Sequence, residues 1–170
     1  MLTILVTLAG VATADADLGV GARYSYVRTE GLDDNSGMIG AFARLKQTMV
    51  GFEVSADKRT DHYDGADFDV TQFTGSFMLT PLPVAHVLAG VGWYRTETYY
   101  LSDPDLQTDY AIGFHYGAGV ECPLLPLLKL AGDLRYRMVD YEVEDSFHGR
   151  TIRVDADGYS VSTGLILYLK

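Results

Sequence analysis

The sequence predicts an all-β fold, an eight-stranded antiparallel up-and-down barrel that crosses a membrane. Three observations carry this reading. First, the stretch from Tyr110 to Glu121 splits almost cleanly by parity. Tyr110, Ile112, Phe114, Tyr116, Ala118 and Val120 fall on one face, and Ala111, Gly113, His115, Gly117, Gly119 and Glu121 on the other. A period of two sustained over that length is the signature of a β-strand. Second, the smaller face is rich in glycine rather than in Lys, Thr, Ser and Glu. That composition suits a narrow, crowded interior, with the bulky face turned to lipid. Third, the same alternation recurs along the chain, and no segment shows helical periodicity long enough for a βαβ unit.

Taken in order, the first strand runs from Leu18 to Arg28, with Leu18, Val20, Ala22, Tyr24 and Tyr26 opposite Gly19, Gly21, Arg23 and Ser25. Glu30 to Ser36 is acidic and reads as a loop. Ile39, Ala41, Ala43 and Leu45 then alternate with Gly40, Phe42, Arg44 and Lys46. A tight turn near Gln47 and Thr48 leads into a third strand, with Val50, Phe52, Val54 and Ala56 against Gly51, Glu53, Ser55 and Asp57. Arg59 to Asp67 is polar and reads as a loop. The fourth strand, Asp69 to Leu79, sets Phe73, Gly75, Phe77 and Leu79 against Gln72, Thr74 and Ser76. Pro81-Leu82-Pro83 stops it, because proline cannot donate to a ladder.

The fifth strand places Val87, Ala89, Val91 and Trp93 opposite Leu88, Gly90, Gly92 and Tyr94, and Leu101 to Thr108 reads as a further loop. The sixth is the stretch already described, closed by Cys122-Pro123 and Pro126. In the seventh, Leu128, Leu130, Leu134, Tyr136 and Met138 oppose Lys129, Asp133, Arg135 and Arg137. After a loop from Glu144 to Arg150, the last strand puts Tyr159, Val161, Thr163, Leu165, Leu167 and Leu169 on one face. Connections after odd strands are long and acidic, while those after even strands are short or marked by proline. Transmembrane barrels show this asymmetry between their two ends.

Composition agrees. Twelve Tyr, seven Phe and eighteen Gly in 170 residues fit interfacial aromatics and a tight lumen. A formal charge of −10 excludes nucleic acid as a partner, since phosphates require a basic surface. The single cysteine, Cys122, excludes an intramolecular disulfide and any multi-cysteine metal site. Residues 1–16 read as a signal peptide: Met1 to Ala12 is apolar and uncharged, and two small-x-small sites follow, Ala12-Thr13-Ala14 and Ala14-Asp15-Ala16. The basic residues that usually precede such a run are absent, as they are when the true start lies upstream. Residues 17–170 form the barrel domain.

Several motifs carry a family resemblance: G-A-G-V-E at Gly117 to Glu121, A-G-V-G-W-Y at Ala89 to Tyr94, L-R-Y-R at Leu134 to Arg137, and the ending G-Y-S-V-S-T-G-L-I-L-Y-L. With these the mature chain resembles the small bacterial outer-membrane barrels of the OmpA-transmembrane-domain and OmpX type. The resemblance implies a location in the outer membrane and contact with the lipid bilayer and lipopolysaccharide. It also implies recognition of the C-terminal strand by the barrel-assembly machinery. The family usually ends on an aromatic residue, whereas this chain ends Tyr168-Leu169-Lys170.

The residues that could carry chemistry follow from parity. Turned inward are Arg23, Arg44, Glu53, Asp57, His115, Glu121, Lys129, Asp133, Arg135 and Arg137. Counting from the turns sets Arg23, Glu53, His115 and Asp133 at a similar middle height. Charges of both signs in so narrow a space should pair, giving either a plug of salt bridges or a gated, narrow pore. An outer aromatic belt is expected from Tyr24, Tyr26, Trp93, Tyr99, Tyr110, Tyr116 and Tyr136.

Nucleophilic catalysis is weakly supported. Resemblance to the lipid A deacylases would require a lipid-facing Ser–His pair with an orienting acid. His115 points inward with no serine near it in sequence, His62 and His148 fall in loops, and His86 lies near a turn. Ser146 with His148 only faintly echoes the palmitoyl-transferase barrels. The acidic clusters Asp61, Asp64, Asp67 and Asp69; Asp103, Asp105 and Asp109; and Asp155 with Asp157 match no calcium-loop spacing. No catalytic residue, metal or cofactor is therefore assigned.

The expected function is non-enzymatic, in envelope integrity or surface interaction through acidic extracellular loops, with an envelope protein as a further candidate partner. The alternatives are a narrow gated porin-like channel, a lipid A-modifying enzyme and a soluble lipocalin-like barrel.

Overall fold

The computed structural model describes residues 16–29, 35–63, 66–100, 103–145, 150–155 and 157–169; within these, only the backbone is described at 35, 61–68, 98–109 and 141–155. The expected signal peptide lies outside the described residues, apart from its last position. The strands are β1 (Asp17–Thr29), β2 (Asn35–Gln47), β3 (Val50–Tyr63), β4 (Ala66–Leu82), β5 (Ala85–Tyr100), β6 (Asp103–Pro123), β7 (Leu128–Asp145), β8 (Arg150–Asp155) and β9 (Gly158–Leu169). All pairings are antiparallel. β8 and β9 both pair with β7, and the register that matches Arg137 to Gly158 also matches Asp140 to Asp155. They are two lengths of a single eighth strand. Asp157 sits at the break, accepting hydrogen bonds from the Val139 amide at 3.0 Å and the Tyr136 hydroxyl at 3.2 Å.

β1 pairs with β2 on one side and β9 on the other, and β6 pairs with β7, so the sheet closes on itself. Within the closed part of the wall each strand pairs on both sides, which satisfies its backbone groups without water as a hydrocarbon surrounding demands. One circuit of the registers runs from Leu18 through Leu45, Phe52, Phe77, Ala89, Tyr116, Tyr136 and Tyr159 to Arg28. The circuit returns to β1 ten residues above its start. With eight strands, that stagger tilts them by about 40° and leaves a bore that side chains fill.

Short connections lie at the end that carries both described termini. β2 and β3 are joined by Thr48 and Met49, where Thr48 takes φ 50°. β4 reaches its turn through a register shift between Leu79 and Leu82 that accommodates Pro81, an irregularity at which proline's missing donor costs nothing.

At the opposite end, two segments expected to be loops, Arg59 to Asp67 and Leu101 to Thr108, are largely strand, and the third, Glu144 to Arg150, is strand at its described ends. β3 continues to Tyr63 and pairs it with Ala66, while β6 begins at Asp103 and pairs it with Tyr100. β7 runs to Asp145, opposite Arg150. A ladder needs backbone groups and not apolar side chains, so these polar hairpins persist where the apolar alternation has stopped. Beyond Arg59, β3 pairs only with β4. Below Gly113 in sequence, β6 pairs only with β5. The barrel therefore rises at its rim into a sheet of β3–β6 and a separate ribbon of β7 and β8.

The parity reading holds along the wall. Ile39, Phe52, Phe77, Trp93, Ile112, Phe114, Leu134 and Val161 are exposed, with Ile112 at 73%, while the alternate residues are buried in the lumen. Apolar exterior and charged interior invert the soluble pattern, and the surrounding solvent is lipid.

Candidate functional site in the lumen

Arg44 of β2 is the centre of the lower lumen, and none of its side chain is exposed. Its Nε donates to Glu53 Oε2 at 2.6 Å, Nη1 to Glu121 Oε1 at 2.9 Å, and Nη2 to Asp133 Oδ2 at 2.8 Å. One guanidinium thus ties carboxylates from β3, β6 and β7 across the bore. Glu53 is the reciprocal hub. It also accepts from Arg23 Nη1 at 3.1 Å and Arg135 Nη2 at 2.8 Å. Arg23 grips Asp57 with Nε and Nη2, at 2.8 and 2.6 Å, the bidentate geometry that a planar guanidinium favours. The Phe42 ring lies 4.9 Å from the Arg44 guanidinium and 5.6 Å from that of Arg23.

Room for Arg23 comes from its cross-strand partners, Gly40 on β2 and Gly164 on β9. A Cβ on Gly40 would lie 2.5 Å from Asp57 Cγ, and one on Gly164 would lie 2.9 Å from Arg23 Cβ. Neither is tolerable without displacement.

Seven of the inward residues expected from parity form one connected network: Arg23, Arg44, Glu53, Asp57, Glu121, Asp133 and Arg135. Arg137 joins through Gln72, donating to its Oε1 at 3.2 Å while Gln72 Nε2 donates to Asp57 Oδ2 at 3.3 Å. Arg23 and Glu53 meet directly, as their similar height suggests, but Asp133 reaches them only through Arg44 and Arg135. His115 bonds Ser76 of β4 instead, with Nε2 2.8 Å from Oγ. The serine that sequence neighbours do not supply comes from another strand. Lys129 sits at the mouth with Lys46; their Nζ atoms lie 3.3 and 2.9 Å from Glu121.

Parity also marks residues that the sequence reading left out of the network. His86, taken there as a turn residue, is buried, with Nε2 2.7 Å from Asp133 Oδ1. It shares the inward parity of Leu88 and Gly90, a signal available in the sequence. The Tyr168 hydroxyl donates to Glu121 at 2.9 Å, and the Lys129 ammonium lies 4.4 Å from the Tyr168 ring centre. Apolar clusters flank the charges. Ile166, Ala131 and Tyr168 pack with Phe42 on one side, and Tyr94, Ala111 and Val139 on the other.

Of the expected aromatic belt, Tyr24, Tyr26, Trp93, Tyr110 and Tyr116 are exposed on the outer wall, and Tyr136 is half-buried there. Tyr116, Tyr136 and Tyr159 are successive cross-strand partners, with ring centres 5.7 and 4.9 Å apart. The Tyr99 side chain lies outside those described, as do those of His62, His148, Ser146 and the acidic clusters apart from Asp69 and Asp157.

The class of protein is now defined: a transmembrane β-barrel whose bore is occupied by its own charged side chains. The chain belongs to the family described as "Outer membrane protein beta-barrel domain", whose profile matches residues 1–165, and it is a protein of the bacterial outer membrane. Solved structures of similar fold include a major outer membrane protein from Thermus thermophilus. It is 16% identical with a TM-score of 0.64, over 91% of this chain and 99% of that one. Neisserial surface protein A is 14% identical with a TM-score of 0.62, over 91% and 97%. Ail, the attachment invasion locus protein of Yersinia pestis, is 13% identical with a TM-score of 0.57, also over 91% and 97%. No match to a curated protein sequence was found.

Proposed function

We propose that this protein is a closed, non-enzymatic outer-membrane barrel that serves envelope integrity or surface interaction through its acidic loop end. The observation that carries this reading is the fully buried Arg44, joined to carboxylates on three other strands. A path for ions through the bore would have to break those bonds, each charge-assisted and shielded from water. The one Ser–His contact among the described residues, Ser76 with His115, lies in the same filled bore. Its His115 Nδ1 has no hydrogen-bond partner, so no acid orients the pair as nucleophilic catalysis would require.

The work then falls to the outer wall and the loop end. The outward aromatic residues anchor the barrel at the lipid interface, and β9 (Gly158–Leu169) is the strand offered to the assembly machinery. Ail is named for attachment and invasion, and one of its structures holds a heparin analogue, sucrose octasulfate. This chain carries acidic loop-end stretches instead. Its partner is therefore a cationic protein surface, or lipopolysaccharide phosphates bridged by divalent ions.

Unboiled protein from outer membranes should migrate faster than boiled protein on a cold gel and give no conductance in planar bilayers. Steady single-channel conductance would favour a narrow gated channel. Chemically altered lipid A after overexpression would establish a lipid-modifying enzyme instead.

A further inference from the structure

We propose that the unpaired edge of β6 at the rim takes up an extended cationic peptide segment as an added strand, in the gap that opens between β6 and β7. Gly113 and Val139 are the last partners that join these two strands. Beyond them, among the described residues, β6 pairs only with β5 over residues 103–112, and β7 only with β8 over residues 140–145. The Glu121 amide donates to the Val84 carbonyl at 2.8 Å. Backbone groups alternate sides along a strand, so odd-numbered residues of β6 bond towards β5 and even-numbered ones face β7. Thr108 and Tyr110 therefore turn their N–H and C=O groups into the gap. Such an edge is a template for another extended segment.

Other rim edges serve less well. On β3 the stretch beyond Arg59 that pairs only with β4 ends at Tyr63, and β8 carries Arg150 and Arg153. The β6 edge is longer, and β5, β4 and β3 behind it hold it in strand geometry before a partner arrives. Charge names the occupant. β6 carries three aspartates over residues 103–112, β7 carries Asp140, Glu142, Glu144 and Asp145, and neither stretch has a lysine or arginine. The paired lengths of β5 and β8 behind them add Arg95, Arg150 and Arg153 against Glu97 and Asp155. The gap is thus acidic on both sides, which repels a second copy of the same edge and draws a basic strand.

The inference rests on the loop end being the interaction surface of a closed barrel, and the experiment separates the two. Refolded barrel in lipid nanodiscs would be mixed with a peptide of alternating Lys and Val, about ten residues long to span the edge. Amide hydrogen exchange would be read residue by residue, beside bilayer conductance. With peptide at about ten times its Kd, exchange at Thr108 and Tyr110 should slow about tenfold, and the effect should shrink as salt is raised. Alternating Glu and Val should give no protection, and neither should alternating Lys and Pro, which keeps the charge but cannot form the ladder. Thr108→Pro removes one gap-facing N–H while Gln107 and Asp109 keep theirs towards β5; it should keep the heat-modifiable band and lose the protection at Tyr110. Equal protection by the Lys–Pro or Glu–Val peptide, or protection unchanged in Thr108→Pro, overturns the addition of a cationic strand. Dimers of the free barrel that Thr108→Pro dissolves would put a second copy at the edge and overturn the peptide. No protection with no conductance overturns the edge and leaves the closed barrel standing. Protection together with conductance overturns the closed barrel and keeps the edge.

Discussion

Along β7, Leu130, Leu134 and Met138 point out of the barrel, while Asp133, Arg135 and Arg137 point in from the positions between them. The two faces answer to different solvents. Outside, lipid tails are as apolar as leucine, so one bulky side chain replaces another with little consequence. Inside, each buried charge is held by named partners at 2.6 to 3.5 Å, and removing one leaves the others buried without their counter-charge. The outer wall constrains composition; the lumen constrains identity and position.

The sharpest way to break the contrast is Arg44→Met, which leaves Glu53, Glu121 and Asp133 buried with a cation missing. Loss of one member of a buried ion network costs about 3–5 kcal/mol, and denaturant unfolding in detergent or lipid should report a loss of that size. Leu134→Met, the control on the outer wall, should be nearly silent. Next comes Leu134→Arg, which puts a charge on the lipid face near mid-height of the wall, opposite Ala118 and Val161. A destabilisation of about 2–4 kcal/mol is expected in bilayers, shrinking in detergent, where the charged end reaches water. The smallest effect compares two glycines. Gly40→Val drives its Cβ into Asp57, and overpacking of this kind costs about 1–3 kcal/mol. At Gly75, on the lipid side, an added Cβ meets nothing within 4 Å, so Gly75→Val should leave stability unchanged. Equal losses at both positions would remove the distinction between the faces.

This difference also explains what the sequence could tell. The eight-stranded barrel was legible because the apolar face alternates wherever the strand touches lipid, and inward charges such as Arg23 and Asp133 stand out against glycine. The rim was not legible. From Arg59 to Asp67 and from Leu101 to Thr108 both faces are polar, so the period of two disappears while the backbone pairing continues. Partners across the bore were hidden for another reason. Ser76 and His115 lie 39 residues apart and meet over Gly90 of β5, the cross-strand partner of both, a register that no single strand encodes. His86 was missed through its nearness to Pro83, although its parity was in plain view.

The rim hairpins carry a lesson for how such a surface diversifies. β3 and β4 match residue to residue as far as Tyr63 and Ala66. Lengthening that arm without disturbing its ladder takes paired insertions, one on each side of the tip, each pair raising the tip by about 3.4 Å. A single added residue inside either strand would exchange the two faces of everything beyond it. Natural variants and grafted epitopes should therefore enter at residues 64–65, or as symmetric pairs beside them, making this hairpin a mast whose height is adjustable in fixed steps while the hull below stays untouched.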